Sequence, residues 1–176
     1  MKSDIICIDN HGNGFDKALA ETQKVAAYQG LNGQESIRLQ LCTEEMLSMA
    51  RSVTGEMQAS FWLECEDGRC ALHLSTKTVM DKEKRYLLIS AATSRKNEAA
   101  NTFLGKLRDA FEAAMASEVD HSDQIPDDIL NDLPNHHIEE TEWDGYERSI
   151  LRKVADEIKI GIRGGVVDMT VIKKIA

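Results

Sequence analysis

Residues 39–50 of this 176-residue chain read LQLCTEEMLSMA, and this stretch decides the expected fold. Apolar residues in and just after it step by three and four, which is the spacing of one continuous helix face. That face comprises Leu39, Cys42, Met46, Met49 and Val53. We predict a helix that begins at Ser36, or at Gln34-Glu35, and ends at Gly55, where glycine is a common stop signal.

The composition is that of an ordinary globular protein, with 42% hydrophobic and 29% charged residues. A chain of this length suits one domain with a single core. The formal net charge of −9 argues against general binding to nucleic acid or anionic membranes, because those partners require an excess of cations. No stretch approaches the roughly 18 apolar residues that a membrane helix needs. We therefore expect neither nucleic acid nor a membrane among its partners.

The four cysteines, Cys7, Cys42, Cys65 and Cys70, form neither a C-x-x-C pair nor a dense framework. The chain begins with only a short apolar run, so no signal peptide is expected, and we predict a reduced, cytoplasmic compartment. Cys65 and Cys70 flank a turn and would face each other across a hairpin. Two buried thiols are favoured over a disulfide at that point.

Turn signals and periodicity predict the remaining elements. Asp67-Gly68 between two strand-like runs is a strong hairpin signal. In chain order, we predict a strand at 5–8, a helix at 15–28, a hairpin at 61–76, helices at 81–92 and 97–117, a helix at 146–157 and a hairpin at 158–171.

Residues 118–144 differ from the rest because they hold both prolines and a concentration of acids. A loop of this length in a compact domain is functional or disordered. One interpretation is a solvated loop. The other is a partner-docking element with Trp143 and Tyr146 as aromatic anchors at its edge. The adjacent His136 and His137 match no closed zinc site, so we predict no metal ligands here.

Two segments and the order of the elements resemble the histidine-kinase-like ATPase superfamily (GHKL or Bergerat fold), and most closely its anti-sigma-factor serine kinase branch. One segment is the predicted helix from Ser36 to Gly55; the other is residues 149–175, which contain ILRKVADEI and TVIKKI. With the 61–76 hairpin they cover roughly half of the chain.

The resemblance implies an α/β (α+β) two-layer sandwich with helices on one face of a mixed, mostly antiparallel sheet. It also implies a single domain over residues 1–176. Within that domain, a helical insertion would span about 81–117 and an acidic, lid-like loop about 118–144.

The resemblance further implies MgATP as cofactor and assigns roles to particular residues. In the family, a glutamate polarises the attacking hydroxyl or water, and an asparagine four residues later holds Mg²⁺. Glu45 retains the first position and is therefore the candidate catalytic residue. Met49 replaces the asparagine, and its thioether is a poor ligand for a hard cation that prefers oxygen.

Two further family motifs are altered. The adenine-binding Asp-x-Gly-x-Gly motif should follow the strand that ends near Thr76, but residues 75–81 contain no glycine. The later glycine motif binds phosphate at the start of the closing helix, and Glu147 stands where that glycine is expected. Gly145 alone survives nearby. Three of the four ATP determinants are therefore missing.

The turn Thr93–Asn97 leads into a predicted helix and carries two cations, Arg95 and Lys96. Such a turn can accept a phosphate through helix N–H groups and cationic side chains. The alternative is a helix cap with a solvated turn. Arg95, Lys96 and Gly145 are the candidate nucleotide-binding residues, and no metal ligand is assigned.

The leading hypothesis is a regulatory protein with weak or no ATP binding that acts by protein–protein contact. Its partner would be a sigma factor, an anti-anti-sigma-like protein, a larger signalling chain or a second copy of itself. The alternative hypothesis is an active ATP-dependent serine/threonine kinase or ATPase with a non-standard nucleotide site. Glu45 and the Arg95–Lys96 turn favour the alternative, whereas Met49 and Glu147 favour the first.

Overall fold

The computed structural model describes residues 1–9, 11–55, 58–100, 103–118 and 150–175. Its helices are α1 (Phe15–Tyr28), α2 (Gly33–Thr54), α3 (Lys82–Ala91) and α4 (Phe103–Glu118), with a 3-10 turn at Glu98–Ala100. Its strands are β1 (Ile6–Ile8), β2 (Ala59–Glu66), β3 (Arg69–Lys77), β4 (Glu157–Arg163) and β5 (Val166–Lys174). Residues 150–154 are also helical. Both hairpins and the helix over 15–28 are therefore confirmed.

The five strands form one sheet in the order β1-β2-β3-β5-β4, and every neighbouring pair is antiparallel. Buried and more exposed residues alternate along β2, β3 and β4, so that one face of the sheet supplies the core. Buried residues of α1, α2 and α3 join the same cluster. The expected two-layer α+β fold is confirmed. Among the described residues, the parallel contact is one isolated bridge between Asn97 and Ile160.

Helix α2 is the centre of the helical layer. Leu39, Cys42 and Met46 have no exposed surface, which confirms the predicted apolar face. The helix begins at Gly33, slightly before the predicted start, because Asn32 and Glu35 form a capping box. The Asn32 side chain accepts from the Glu35 N–H at 3.0 Å, and the Glu35 carboxylate accepts from the Asn32 N–H at 3.1 Å.

A tight turn joins β1 to α1. The Asp9 carboxylate accepts hydrogen bonds from the N–H groups of His11 and Asn13 at 2.9 and 3.0 Å. Gly14 follows with φ +97°, in the left-handed region that glycine tolerates. A Cβ at this position would lie 2.3 Å from the carbonyl oxygen of Cys7. The turn therefore requires glycine both for its conformation and for its close approach to β1.

The prediction of two thiols at Cys65 and Cys70 is wrong, because the structure joins them in a disulfide. The two residues pair directly across the β2–β3 hairpin, with a Cα–Cα distance of 4.1 Å. Both side chains point into the core and are buried. Cys7 and Cys42 are free cysteines.

Reduction of the Cys65–Cys70 disulfide is expected to lower the free energy of unfolding by about 2 kcal/mol, because so short a loop removes little entropy from the unfolded chain. Urea unfolding with and without a phosphine reductant measures this change. The double variant Cys65→Ala/Cys70→Ala is the control, since its stability should not respond to the reductant. Four reactive thiols in unreduced, denatured protein would contradict the disulfide.

Candidate functional site

Glu45 and Met49 lie one turn apart on α2 but in different surroundings. Met49 is only 1% exposed and belongs to the hydrophobic core, as its helical spacing predicted. Glu45 is half-buried, with one carboxylate oxygen screened from solvent. The Glu45 carboxylate is therefore partly accessible, whereas Met49, at the position to which the resemblance assigns a Mg²⁺ ligand, is buried.

Glu45 is one of the charged residues that affect the pKa of the nearby Cys42 thiol. Burial raises the pKa of the Cys42 thiol to about 12; Lys173 opposes this rise, while Asp156 and Glu45 add to it. Lys173 and Asp156 form an ion pair with an Nζ–Oδ2 distance of 2.8 Å. Glu45 and the lysine–aspartate pair, which lies at the end of β5 and just before β4, therefore all act electrostatically on the Cys42 thiol.

Residues 75–81, to which the resemblance assigns the adenine motif, make hydrogen bonds that connect neighbouring elements of the fold. The Thr76 hydroxyl donates to the carbonyl of Gln58 at 3.1 Å, and the Thr78 N–H donates to the carbonyl of Gly165 at 2.9 Å. Asp81 is the N-cap of α3, and its carboxylate accepts from the Lys84 N–H at 2.7 Å. The carboxylate in this segment therefore serves a helix start.

Arg95 and Lys96 lie in a groove of about 740 Å³ between α3, the turn at residues 93–97 and α4. We call this cavity the basic groove. Its lining includes five cations and one carboxylate: Lys82, Arg85, Arg95, Lys96, Lys106 and Asp109. The structure therefore places Arg95 and Lys96 in the lining of one cavity. Glu45 is not among the residues that line it.

Of the two interpretations of this turn, an anion site at helix N–H groups and a helix cap, the structure fits the helix cap. The helix that follows is a three-residue 3-10 turn, and its Ala99 N–H donates to the side-chain oxygen of Asn97 at 3.1 Å. An anion in the groove would therefore meet cationic side chains instead of a helix terminus.

Asn97 clamps the turn to the edge strand β4. It is 8% exposed; its amide nitrogen donates to the carbonyl of Ile162 at 2.9 Å, and its oxygen accepts from the Ile162 N–H at 2.8 Å. The same nitrogen donates to Asp109, which forms an ion pair with Arg85. Asn97 thus ties the turn, α4 and β4 together beneath the groove, and the turn covers a sheet edge.

Asn97→Ala is expected to lower the free energy of unfolding by about 3 kcal/mol, because it leaves buried partners at Ile162 without hydrogen bonds. Urea unfolding measures the loss. The exposed Gln23 on α1 offers a control, since Gln23→Ala should change stability by less than about 0.5 kcal/mol. Equal stability of the two variants would contradict the clamp.

Sequence reasoning missed Lys82, Arg85 and Lys106. A signal for them was present, since Lys82, Arg85 and Tyr86 fall at positions i, i+3 and i+4 and so share one face of α3. Lys106 and Asp109 have the same three-residue spacing on α4. Periodicity alone does not show that these faces of α3 and α4 meet at the Arg95–Lys96 turn.

The open face of the sheet carries a second polar cluster. Trp62 stacks on His73 with ring centroids 5.0 Å apart, and burial lowers the pKa of His73. The Ser75 hydroxyl donates to Asp168 at 2.6 Å, whereas His73 pairs with the Thr170 hydroxyl at 3.2 Å. The serine and the histidine thus have separate partners, and no hydrogen bond joins the two side chains in the described part of the chain.

Several predicted residues lie outside the described part of the chain. They are Gly145, Glu147, His136, His137, Trp143, Tyr146 and the acidic segment from residue 119 onward.

Among the described residues, no three His, Cys, Asp or Glu side chains are grouped so that they could hold a metal ion. No helix in the described ranges has the length and apolarity needed to cross a membrane. No protein-family model matches the chain, and no curated protein matches its sequence.

Proposed function

We propose that this chain is a regulatory protein of the histidine-kinase-like ATPase type that has lost the MgATP chemistry of the family and acts by binding a protein partner. The partner would be a sigma factor, an anti-anti-sigma-like protein or a second copy of the chain. We place the chain in the cytoplasm because its cysteines form no dense framework. The Cys65–Cys70 disulfide would be an exception to the reduced state that is usual for thiols in that compartment.

The burial of Met49 is the observation that carries this proposal. A Mg²⁺ ligand must reach the solvent-filled nucleotide cavity, and Met49 is 1% exposed among the residues of the core. The use of Asp81 as a helix cap adds support, because that carboxylate is already engaged by the Lys84 N–H. Glu45 is then a carboxylate retained without the metal and phosphate groups that would make it a catalyst.

An apolar stripe on α4 supports the protein–protein part of the proposal. Leu107, Phe111 and Met115 are 61%, 65% and 48% exposed, and they follow one another at four-residue intervals. This spacing aligns them along one side of the helix. Large apolar side chains exposed in a row are typical of a surface that binds a partner.

Calorimetry with ATP tests the loss of the family site. In the presence of Mg²⁺ and then of EDTA, we expect no binding that depends on Mg²⁺, and we expect Glu45→Ala to behave like the natural chain. Micromolar binding that requires Mg²⁺ and is weakened by Glu45→Ala would overturn the proposal and favour an active kinase or ATPase.

Site-specific photo-cross-linking tests the interaction surface. A photoreactive residue that replaces Phe111 should form one cross-linked adduct with the partner. The same photoreactive residue in place of Lys17, on the exposed side of α1, is the matched control. The purified partner should then bind the natural chain and lose at least about tenfold in affinity for Phe111→Asp. Adducts that do not differ between positions 111 and 17 would contradict a role for the stripe.

A further inference from the structure

The basic groove has a charge composition opposite to that of the chain. The whole sequence has 21 Lys and Arg against 30 Asp and Glu, whereas the groove lining has five cations against one carboxylate. Like charges in one cavity raise the free energy of the ligand-free protein, because neighbouring cations repel each other at short range. An anionic ligand would remove that repulsion, and the low-dielectric walls would focus the field upon it.

Four of the five cations are available to such a ligand. Lys82, Lys96 and Lys106 are exposed and have no carboxylate partner among the described residues. Arg95 is exposed in the same way. Arg85 differs, because its guanidinium is paired with Asp109 at the floor of the groove. Within the described residues, the groove thus combines one ion-paired cation, Arg85, with four cations that have no carboxylate partner.

The backbone that carries Arg95 and Lys96 is held in place. The Thr93 N–H donates to the carbonyl of Ile158 at 2.8 Å, and the Thr93 hydroxyl accepts from the Ile158 N–H at 2.8 Å. At the other end of the turn, Asn97 makes its paired bonds to Ile162. Two cations on a turn fixed at both ends lose less backbone freedom on binding than cations on a loose loop.

One wall of the groove is apolar. Ile89 is partly buried against the core, and Tyr86 extends from α3 with 66% of its surface exposed. An exposed aromatic ring at the edge of a cationic cavity can stack on a planar heterocycle, and such stacking is tolerant of the identity of the base. The lining therefore combines several phosphate-binding cations with a stacking surface.

We propose that the basic groove binds a nucleotide-class ligand, namely a di- or triphosphate held by Lys82, Arg95, Lys96 and Lys106 with a planar base against Tyr86. The site is formed by the α3–α4 region and does not involve Glu45 or Met49. It is therefore a function additional to the proposed partner binding.

Size favours a small ligand over a polymer. A cavity of about 740 Å³ falls within the usual range for small-molecule sites. A nucleic acid would extend beyond the groove and meet the remainder of a chain with a formal net charge of −9. An acidic peptide is the competing occupant, because it too would match the cations.

Calorimetry in EDTA with ATP, tripolyphosphate and adenosine tests the proposal. We expect ATP to bind with a Kd on the order of 100 µM, tripolyphosphate more weakly and adenosine without measurable heat. Added Mg²⁺ should weaken ATP binding, because it neutralises phosphate charge and the one carboxylate in the groove is already paired. This sign is opposite to that of a family-type MgATP site, so a failure of the proposed function remains distinguishable.

Variants assign the binding to the groove. Lys96→Ala/Lys106→Ala should lower ATP affinity at least about tenfold, and the exposed Lys17→Ala should leave it unchanged. Tyr86→Ala should weaken ATP and leave tripolyphosphate unaffected, which separates a nucleotide from a free polyphosphate.

Three results would overturn the proposal. They are the absence of saturable heat from ATP at millimolar concentration, ATP affinity that is the same in Lys96→Ala/Lys106→Ala as in Lys17→Ala, and a hexaglutamate peptide that binds more tightly than ATP and displaces it. The last result would assign the groove to an acidic peptide.

Discussion

Met49→Asn is expected to lower the free energy of unfolding by about 4 kcal/mol and to restore no Mg²⁺-dependent ATP binding. The substitution places asparagine at the position to which the resemblance assigns a metal-binding side chain, yet that position is 1% exposed and surrounded by the hydrophobic core. The variant loses the packing of a buried methionine. It also buries an amide whose hydrogen bonds to water are not replaced, and both effects act in the same direction.

Urea unfolding measures the stability of this variant, and calorimetry with MgATP measures its binding. Met49→Leu preserves volume and apolarity, so it should cost less than about 1.5 kcal/mol. Glu44→Asn places asparagine on the exposed side of the same helix. Its loss of stability, about 0.5 kcal/mol, therefore reports only the lower helix propensity of asparagine. A Met49→Asn protein that is as stable as Glu44→Asn and binds MgATP would contradict the assignment of Met49 to the core.

Periodicity was sufficient for the helical face of α2 and for both hairpins, because burial on one side of an element leaves a repeating mark in the sequence. The predicted start of α2 lies after the observed start at Gly33, because Gly30 and Gly33 are read as stop signals and overlap the helix cap at Asn32. The hairpin register correctly placed Cys65 opposite Cys70. The sequence pattern does not determine whether these two cysteines are thiols or form a disulfide.

The candidate site was predicted only in part, because its members come from separate elements. The cations of the Arg95–Lys96 turn were visible, but their meeting with Lys82 and Lys106 depends on how α3 and α4 pack. Asn97 is the clearest case. Its burial depends on the backbone of Ile162, 65 residues away, and nothing in the local sequence marks that partner.

Gly14→Ala is expected to lower the free energy of unfolding by about 3 kcal/mol, through two separable causes. The residue has φ +97°, which disfavours any side chain, and its Cβ would lie 2.3 Å from the carbonyl oxygen of Cys7. Either α1 or β1 must therefore move. β1 is the element that gives way more easily, because it is a three-residue strand at the edge of the sheet.

Gly12 separates the two causes. It has φ +81°, but a Cβ there would meet no atom within 4 Å, so Gly12→Ala carries only the conformational cost of about 1 kcal/mol. The difference between the two variants in urea unfolding measures the contact with Cys7. Hydrogen exchange should show where the structure moves. The β1 amides that pair with β2 should exchange faster in Gly14→Ala than in Gly12→Ala. Equal stability and equal exchange would show that the turn relaxes without displacing β1.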